Sequence, residues 1–142
     1  MSKIKFYFFI ILFIFSFNNS GITKDSYFSQ GKKLFEQKKF TMSKFKFEQD
    51  IVFNPKSEES YLFLAKIFSN EENDELEEQN LNTVILLNPK NEEAVYLLAL
   101  LKIKKSDYNE SEKLIKNFKK ICKTLCEKES SLQTKLKILQ PK

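Results

Sequence analysis

Asn54-Pro55-Lys56-Ser57-Glu58-Glu59 recurs as Asn88-Pro89-Lys90-Asn91-Glu92-Glu93, every residue 34 positions after its counterpart. The columns upstream of the prolines align at the same offset. Tyr27, Gly31 and Leu34 correspond to Tyr61, Ala65 and Phe68, and then to Val95, Ala99 and Lys102. Farther along, Ser43 and Phe47 correspond to Glu77 and Leu81, and then to Ser111 and Ile115. A fixed period of this length marks one small structural unit that buries its apolar face only by stacking on copies of itself. The chain has only 2 Gly and 3 Pro, too few for a turn-rich β architecture, so the stacked units are expected to be helical. Apolar spacing and turn residues place helices over 26–38, 41–53, 58–70, 74–87, 92–105 and 108–121.

A 34-residue period with these residue types resembles the tetratricopeptide repeat over Lys24 to about Leu125. The first copy fits best, through Tyr27, Gly31, Leu34, Ser43, Phe47 and Pro55. The second carries Glu77 where the pattern has a small residue. The third carries Lys102 in an aromatic column and Lys123 in place of the closing proline. The resemblance implies an all-α fold, a right-handed stack of antiparallel helix pairs. Its repeats occupy 24–57, 58–91 and a degenerate 92–125, followed by a capping helix and tail over 126–142.

The residue types have physical reasons. Gly31, Ala65 and Ala99 are small where paired helices approach closely, and Phe47, Leu81 and Ile115 project into the same layer. Pro55 and Pro89 stop a helix, and Ser57 and Asn91 stand at N-cap positions ahead of acidic first turns. Leu132, Leu136 and Leu139 make the apolar stripe of a last helix, which would close the exposed end of the stack.

Residues 1–23 differ in character. Lys3 and Lys5 precede an almost unbroken apolar run, Phe6 to Phe17, and then Asn18-Asn19-Ser20-Gly21. This is the layout of a secretory signal peptide. As a helix, the twelve-residue run spans about 18 Å, short of the ~30 Å hydrocarbon core, so cleavage between Asn18 and Thr23 is favoured over an uncleaved anchor. The expected location is outside the cytoplasm, periplasmic or secreted, with a membrane-anchored form facing the same side as the alternative.

The chain lacks the residues most catalytic chemistry needs. With no His there is no imidazole base and no His metal ligand, and two Gly cannot build a phosphate-cradling loop. The acidic run Glu71, Glu72, Asp74, Glu75, Glu77 and Glu78 lacks the alternation and central Gly of a calcium loop and reads as a solvated helix face. No cofactor or metal is expected. Cys122 and Cys126 remain. Behind an export signal they read as a structural disulfide, with free thiols or a thiol-redox site as alternatives. A bridge at this spacing requires the helix to break near Lys123.

Net charge is +5, but it is segmented. Lys outnumber acids 8 to 4 over 24–57 and 8 to 5 over 92–125, whereas 58–91 has 2 Lys and 8 acids. Lys116, Lys119, Lys120 and Lys123 make a basic face that reads as solvated. An acidic middle would repel phosphates, and no nucleic-acid partner is expected.

The expected function is that of a non-enzymatic protein–protein interaction scaffold or adaptor. Its partner is another protein or peptide segment, with a membrane involved only if the N-terminal segment is retained. The resemblance implies a concave face built from the first helix of each repeat. The residues carried onto it are Phe28, Lys32 and Phe35, then Leu62 and Lys66, then Tyr96, Leu100 and Ile103. Some arrays of this kind clamp a peptide's terminal carboxylate with Lys, Asn and Arg. Here Phe28, Lys32, Phe63, Glu93 and Leu97 occupy those positions, so the clamp is missing.

Overall fold

The computed structural model describes residues 26–139, and the expected signal segment therefore lies outside the described residues. Among the described residues seven helices follow one another: α1 Tyr27–Glu36, α2 Phe40–Phe53, α3 Glu58–Asn70, α4 Asp74–Leu87, α5 Glu92–Lys104, α6 Tyr108–Ile121 and α7 Lys128–Leu139. The first six pair as hairpins α1/α2, α3/α4 and α5/α6, each within one 34-residue period. Each hairpin packs on the next, and α7 lies against α5 and α6.

Within each hairpin the turn between helices contains one residue in the left-handed region: Lys38 (φ 58°), Glu72 (φ 55°) and Ser106 (φ 60°). These three residues are one column of the repeat. None is Gly, so each turn holds a conformation that L-residues adopt sparingly. The links between hairpins are a second repeated device. The N–H of Ser57 donates to the Asn54 carbonyl, and that of Asn91 to the Asn88 carbonyl, both at 3.0 Å, closing β-turns around Pro55 and Pro89.

Asn91 caps α5 as expected, its side chain accepting from the Ala94 N–H at 2.9 Å. Ser57 does not cap α3 in this way. Its hydroxyl donates to Ser60, which donates to Asp50 at 2.6 Å, a buried polar chain that ties α2 to α3. The Asp50 carboxylate gives the Ser60 hydroxyl a charge-assisted acceptor, and this orients the Ser57 hydroxyl toward Ser60.

Two apolar clusters fill the interior. Phe47, Leu64, Ile67 and Phe68 form one between α2 and α3, with Phe28, Phe35, Phe40 and Phe63 packed against it. The larger one spans α3 to α7 and includes Leu81, Val84, Leu98, Phe118 and Leu132. The small-residue columns are where the helices meet. Gly31, Ala65 and Ala99 are all buried, and the Ser43 hydroxyl donates to the Gly31 carbonyl at 2.8 Å. A Cβ built on Gly31 would stand 2.8 Å from the Phe47 ring. Leu132 and Leu136 of α7 are buried and Leu139 is exposed, so the terminal helix covers the end of the stack with two of its three expected leucines.

The acidic run is a solvated face at Glu71, Glu72 and Glu75, which are exposed, but part of it pairs with neighbouring repeats. Glu71 pairs with Lys44 of α2 at 2.9 Å, Asp74 with Lys104 at 2.6 Å, and Glu78 with both Lys102 and Lys105 at 2.6 Å. Part of the basic–acidic–basic segmentation of the sequence is thus pairing between neighbouring repeats. Glu77 alone turns inward and is buried.

Candidate peptide-binding groove

A hollow of about 300 Å³ brings the first helices of all three hairpins together, lined by Phe35 of α1, Lys66, Ser69 and Asn70 of α3, and Leu97 of α5. Glu77 of α4 also lines it. Its walls are positioned by packing beneath them. Phe35 meets Phe40 and Phe63 edge-on, with ring centres 5.3 and 5.1 Å away, while Phe63 stacks on the buried Phe47 at 5.0 Å. The Lys66 ammonium lies 4.9 Å above the Phe63 ring and 2.8 Å from a Glu93 carboxylate oxygen. That cation is therefore held across the α3/α5 junction.

Glu77 occupies a small-residue column, and this is why it is buried. Desolvation pushes its carboxyl above the usual range; the hydrogen bond with Ser69 opposes this, Asp74 adds to it and Lys104 opposes it. A carboxyl so placed gives the hollow a polar floor between apolar walls.

Of the eight residues expected to line the groove, Phe35 and Lys66 line the hollow, and Lys32 is exposed on α1. Phe28 is half-buried, packed on Phe47 and Phe63 with ring centres 5.8 Å from each. Tyr96 is half-buried too, its ring 5.9 Å from Phe118 and beneath the Lys128 ammonium at 4.8 Å, so α7 reaches it. Leu100 is half-buried against the larger core cluster. Leu62 and Ile103 are corrected: both are buried members of that cluster and present no surface to a ligand. They belong to different columns: Phe28 and Tyr96, which share the column of Leu62, stay half-buried, and Phe35 and Ser69, which share that of Ile103, line the hollow. Ser69, Asn70, Glu77 and Leu97 are not among the expected set. Glu77 carried a signal, because a Glu in a small-residue column must either distort the helix contact or line a gap.

Several solved structures share this arrangement. The TPR2B domain of yeast Sti1, in a pHsp70 complex, superposes with a TM-score of 0.72 at 14% identity, covering 78% of this chain and 92% of that one. The Yersinia enterocolitica type III secretion chaperone SycD, in complex with a peptide of the translocator YopD, gives 0.73 at 13% identity, covering 86% and 95%. The chain folds as a tetratricopeptide-repeat array. The first TPR of Spaghetti, bound to the HSP90 peptide SRMEEVD, gives 0.71 at 17% identity and covers 84% of this array and 98% of that chain. No protein-family model matches the array, and no curated protein matches it in sequence.

At the far end of the array, Cys122 and Cys126 sit at disulfide distance, with Cα atoms 5.2 Å apart. α6 ends at Ile121, so the chain leaves the helix where a bridge of this spacing requires. Glu92, in the first turn of α5, accepts the N–H groups of Thr124 at 3.0 Å and Leu125 at 2.9 Å, both inside this loop. The backbone bonds from Lys123, Leu125 and Thr124 hold its carboxyl below the usual range.

Proposed function

We propose that this tetratricopeptide-repeat array is a non-enzymatic scaffold that works outside the cytoplasm and holds a segment of another protein in the groove over α1, α3 and α5. The observation that carries the reading is the hollow bounded by Phe35, Lys66 and Leu97, one residue from each hairpin, with apolar walls and a polar floor. The bound peptides in two of the structural neighbours support the same use of the fold. A suitable ligand is an extended or helical segment with apolar anchors. Lys66 is already paired with Glu93, so the exposed Lys32 is the cation better placed to meet an acidic side chain of that ligand.

A photo-crosslinking amino acid at Lys32 or Asn70, on the groove, and at Lys113, on the second helix of the third hairpin, separates this reading from its rivals. Protein adducts at the first two positions are expected, with mass spectrometry identifying the segment. Adducts confined to position 113 would place the partner elsewhere and overturn the groove assignment.

Export rests on Lys3, Lys5 and the Phe6–Phe17 run. N-terminal sequencing of native protein should begin between Asn19 and Lys24. Intact Met1 in the membrane fraction would instead support a tethered scaffold.

A further inference from the structure

The second helix of a hairpin in such a stack needs one apolar face, and α2 has two. Phe47 is buried inward with Phe40 and Ile51 packed on the same cluster, beside the buried Ser43 and Asp50. Met42, Phe45, Val52 and Phe53 point outward and are between 56% and 73% exposed. At 100° per residue these four fall within an arc of about 100°, a stripe along the helix with Gln49 near its middle, where that side chain accepts from the Lys46 ammonium at 3.1 Å. The fold does not require it. In the same columns α6 carries Glu110, Lys113, Lys120 and Ile121, whereas α4 keeps Leu76, Leu86 and Leu87, with Leu86 82% exposed, and differs through Gln79 where α2 has Phe45. A helix apolar on both faces is normally covered on both.

The margin of the stripe is basic. Lys38 and Lys39 are exposed immediately before α2 and Lys56 just after it. The Lys46 ammonium lies 5.9 Å over the Phe45 ring and 5.3 Å over the Tyr27 ring, and Tyr27 stacks on Phe53 at 5.5 Å. Glu48 stands beside the stripe as its acidic neighbour. Phe side chains flanked by Lys are the composition of a helix that lies in the interfacial plane of a bilayer. We propose that the outer face of α2 seats the protein on an anionic lipid surface, with Met42, Phe45, Val52 and Phe53 in the acyl boundary and Lys38, Lys39, Lys46 and Lys56 among the headgroups. Self-association through this face would bring together two segments that each have 8 Lys against 4 acids, and like charge opposes it. The face lies on a different helix from the groove residues, so the two assignments stand or fall separately.

The chain has no Trp, which supplies a clean probe. Phe45→Trp and Lys113→Trp each place a single indole in the same column of different repeats, one on the stripe and one off it. The full-length variants are mixed with vesicles of phosphatidylcholine containing phosphatidylglycerol, or of phosphatidylcholine alone, with and without brominated acyl chains. The expected result is a blue shift and bromine quenching at position 45 on the anionic vesicles only, reduced by high salt, with position 113 still in water. Four results would overturn the proposal. They are no vesicle binding, binding with the indole at position 45 still in water, an equal response on uncharged vesicles, and an indole at position 45 already shielded without lipid. In the last case, light scattering distinguishes a second copy from the chain's own N-terminal run as the cover.

Discussion

Gly31 shows how one residue sets the geometry of a hairpin. In an exposed helix interior, Gly→Ala is expected to stabilise by about 0.5–1 kcal/mol. Here the added Cβ would enter the Phe47 ring, which is fully buried and cannot swing clear because Phe63 stacks on it. Gly31→Ala is therefore expected to destabilise, and Gly31→Leu to cost about 1–3 kcal/mol or more. Thermal melts by circular dichroism check the sign, and Gly31→Ala combined with Phe47→Leu should recover part of the loss, as coupled neighbours do. Unchanged midpoints would mean that α1 and α2 do not meet at this column. Glu77 gives the opposite kind of test. Its carboxyl is raised by burial, so the folded state holds a proton that the unfolded state has already released. Stability from this group is thus present at low pH and falls as pH rises from the usual carboxylate range through the raised value. Glu77→Gln keeps the shape and the bond with Ser69 while removing the buried charge. Its melting midpoint should exceed that of the parent at pH 7, and the difference should vanish near pH 4.

At the scale of elements, the helices were legible almost to the residue, because a repeat supplies each boundary more than once. The expected spans for α3, α4 and α6 match those observed, and the others differ by one or two residues at an end. What stayed hidden depends on partners distant in sequence. Ser57 reads as a cap until Asp50 is seen beside Ser60, and the acidic run reads as solvated until α5 brings Lys102, Lys104 and Lys105 against it. Leu62 and Ile103 read as groove residues because a column does not reveal which of its copies is covered: Tyr96 keeps some exposure in the column of Leu62, and Phe35 in that of Ile103. Glu92 is a related case. In the second hairpin the matching Glu58 receives the Asn88 side-chain amide, at the Asn-Pro link. In the third hairpin, Cys122 and Lys123 replace Asn88 and Pro89 in register, and Glu92 holds the loop they open. The carboxyl of Glu92 is lowered, so its contribution is present above the ordinary pKa of 4.5 and lost as pH falls below it. Protection of the Thr124 and Leu125 amides, taken relative to the intrinsic exchange rate at each pH, should fall on acidification, and Glu92→Gln should show reduced protection at every pH. The disulfide that would complete this clip closes so short a loop that the chain-entropy model gives it only about 2 kcal/mol. Intact-mass measurement of native protein, alkylated with and without reductant, should show Cys122 and Cys126 blocked as a pair; two free thiols would leave Glu92 as the loop's tie.

For the whole molecule, the two ends of the stack are treated differently. Among the described residues, nothing covers the outer apolar face of α2 in the first hairpin, whereas at the C-terminal end α7 buries Leu132 fully and Leu136 nearly so in the cluster with Tyr96 and Phe118. Stacked arrays gain stability through contacts between neighbours, so the last hairpin depends on its cap more than the others do. The link from α6 to α7 passes through the Cys122–Cys126 loop, and the Tyr108 hydroxyl donates to the Leu139 carbonyl at 2.7 Å, pinning the far end of α7 as well. Ending the chain after Glu127 removes α7 while leaving the loop and Glu92 intact. The truncated protein should melt at a lower temperature and self-associate, because the surface under Leu132 would face water. Leu132→Ala isolates packing from the loss of the helix, with an expected cost of about 2–5 kcal/mol for a fully buried leucine. If α7 is a cap, both variants weaken the third hairpin first. Hydrogen exchange in α5 and α6 should then rise while α1 and α2 stay protected. Uniform exchange along all six helices would instead show that the array unfolds as one unit, and an unchanged melt after truncation would show that α7 closes nothing.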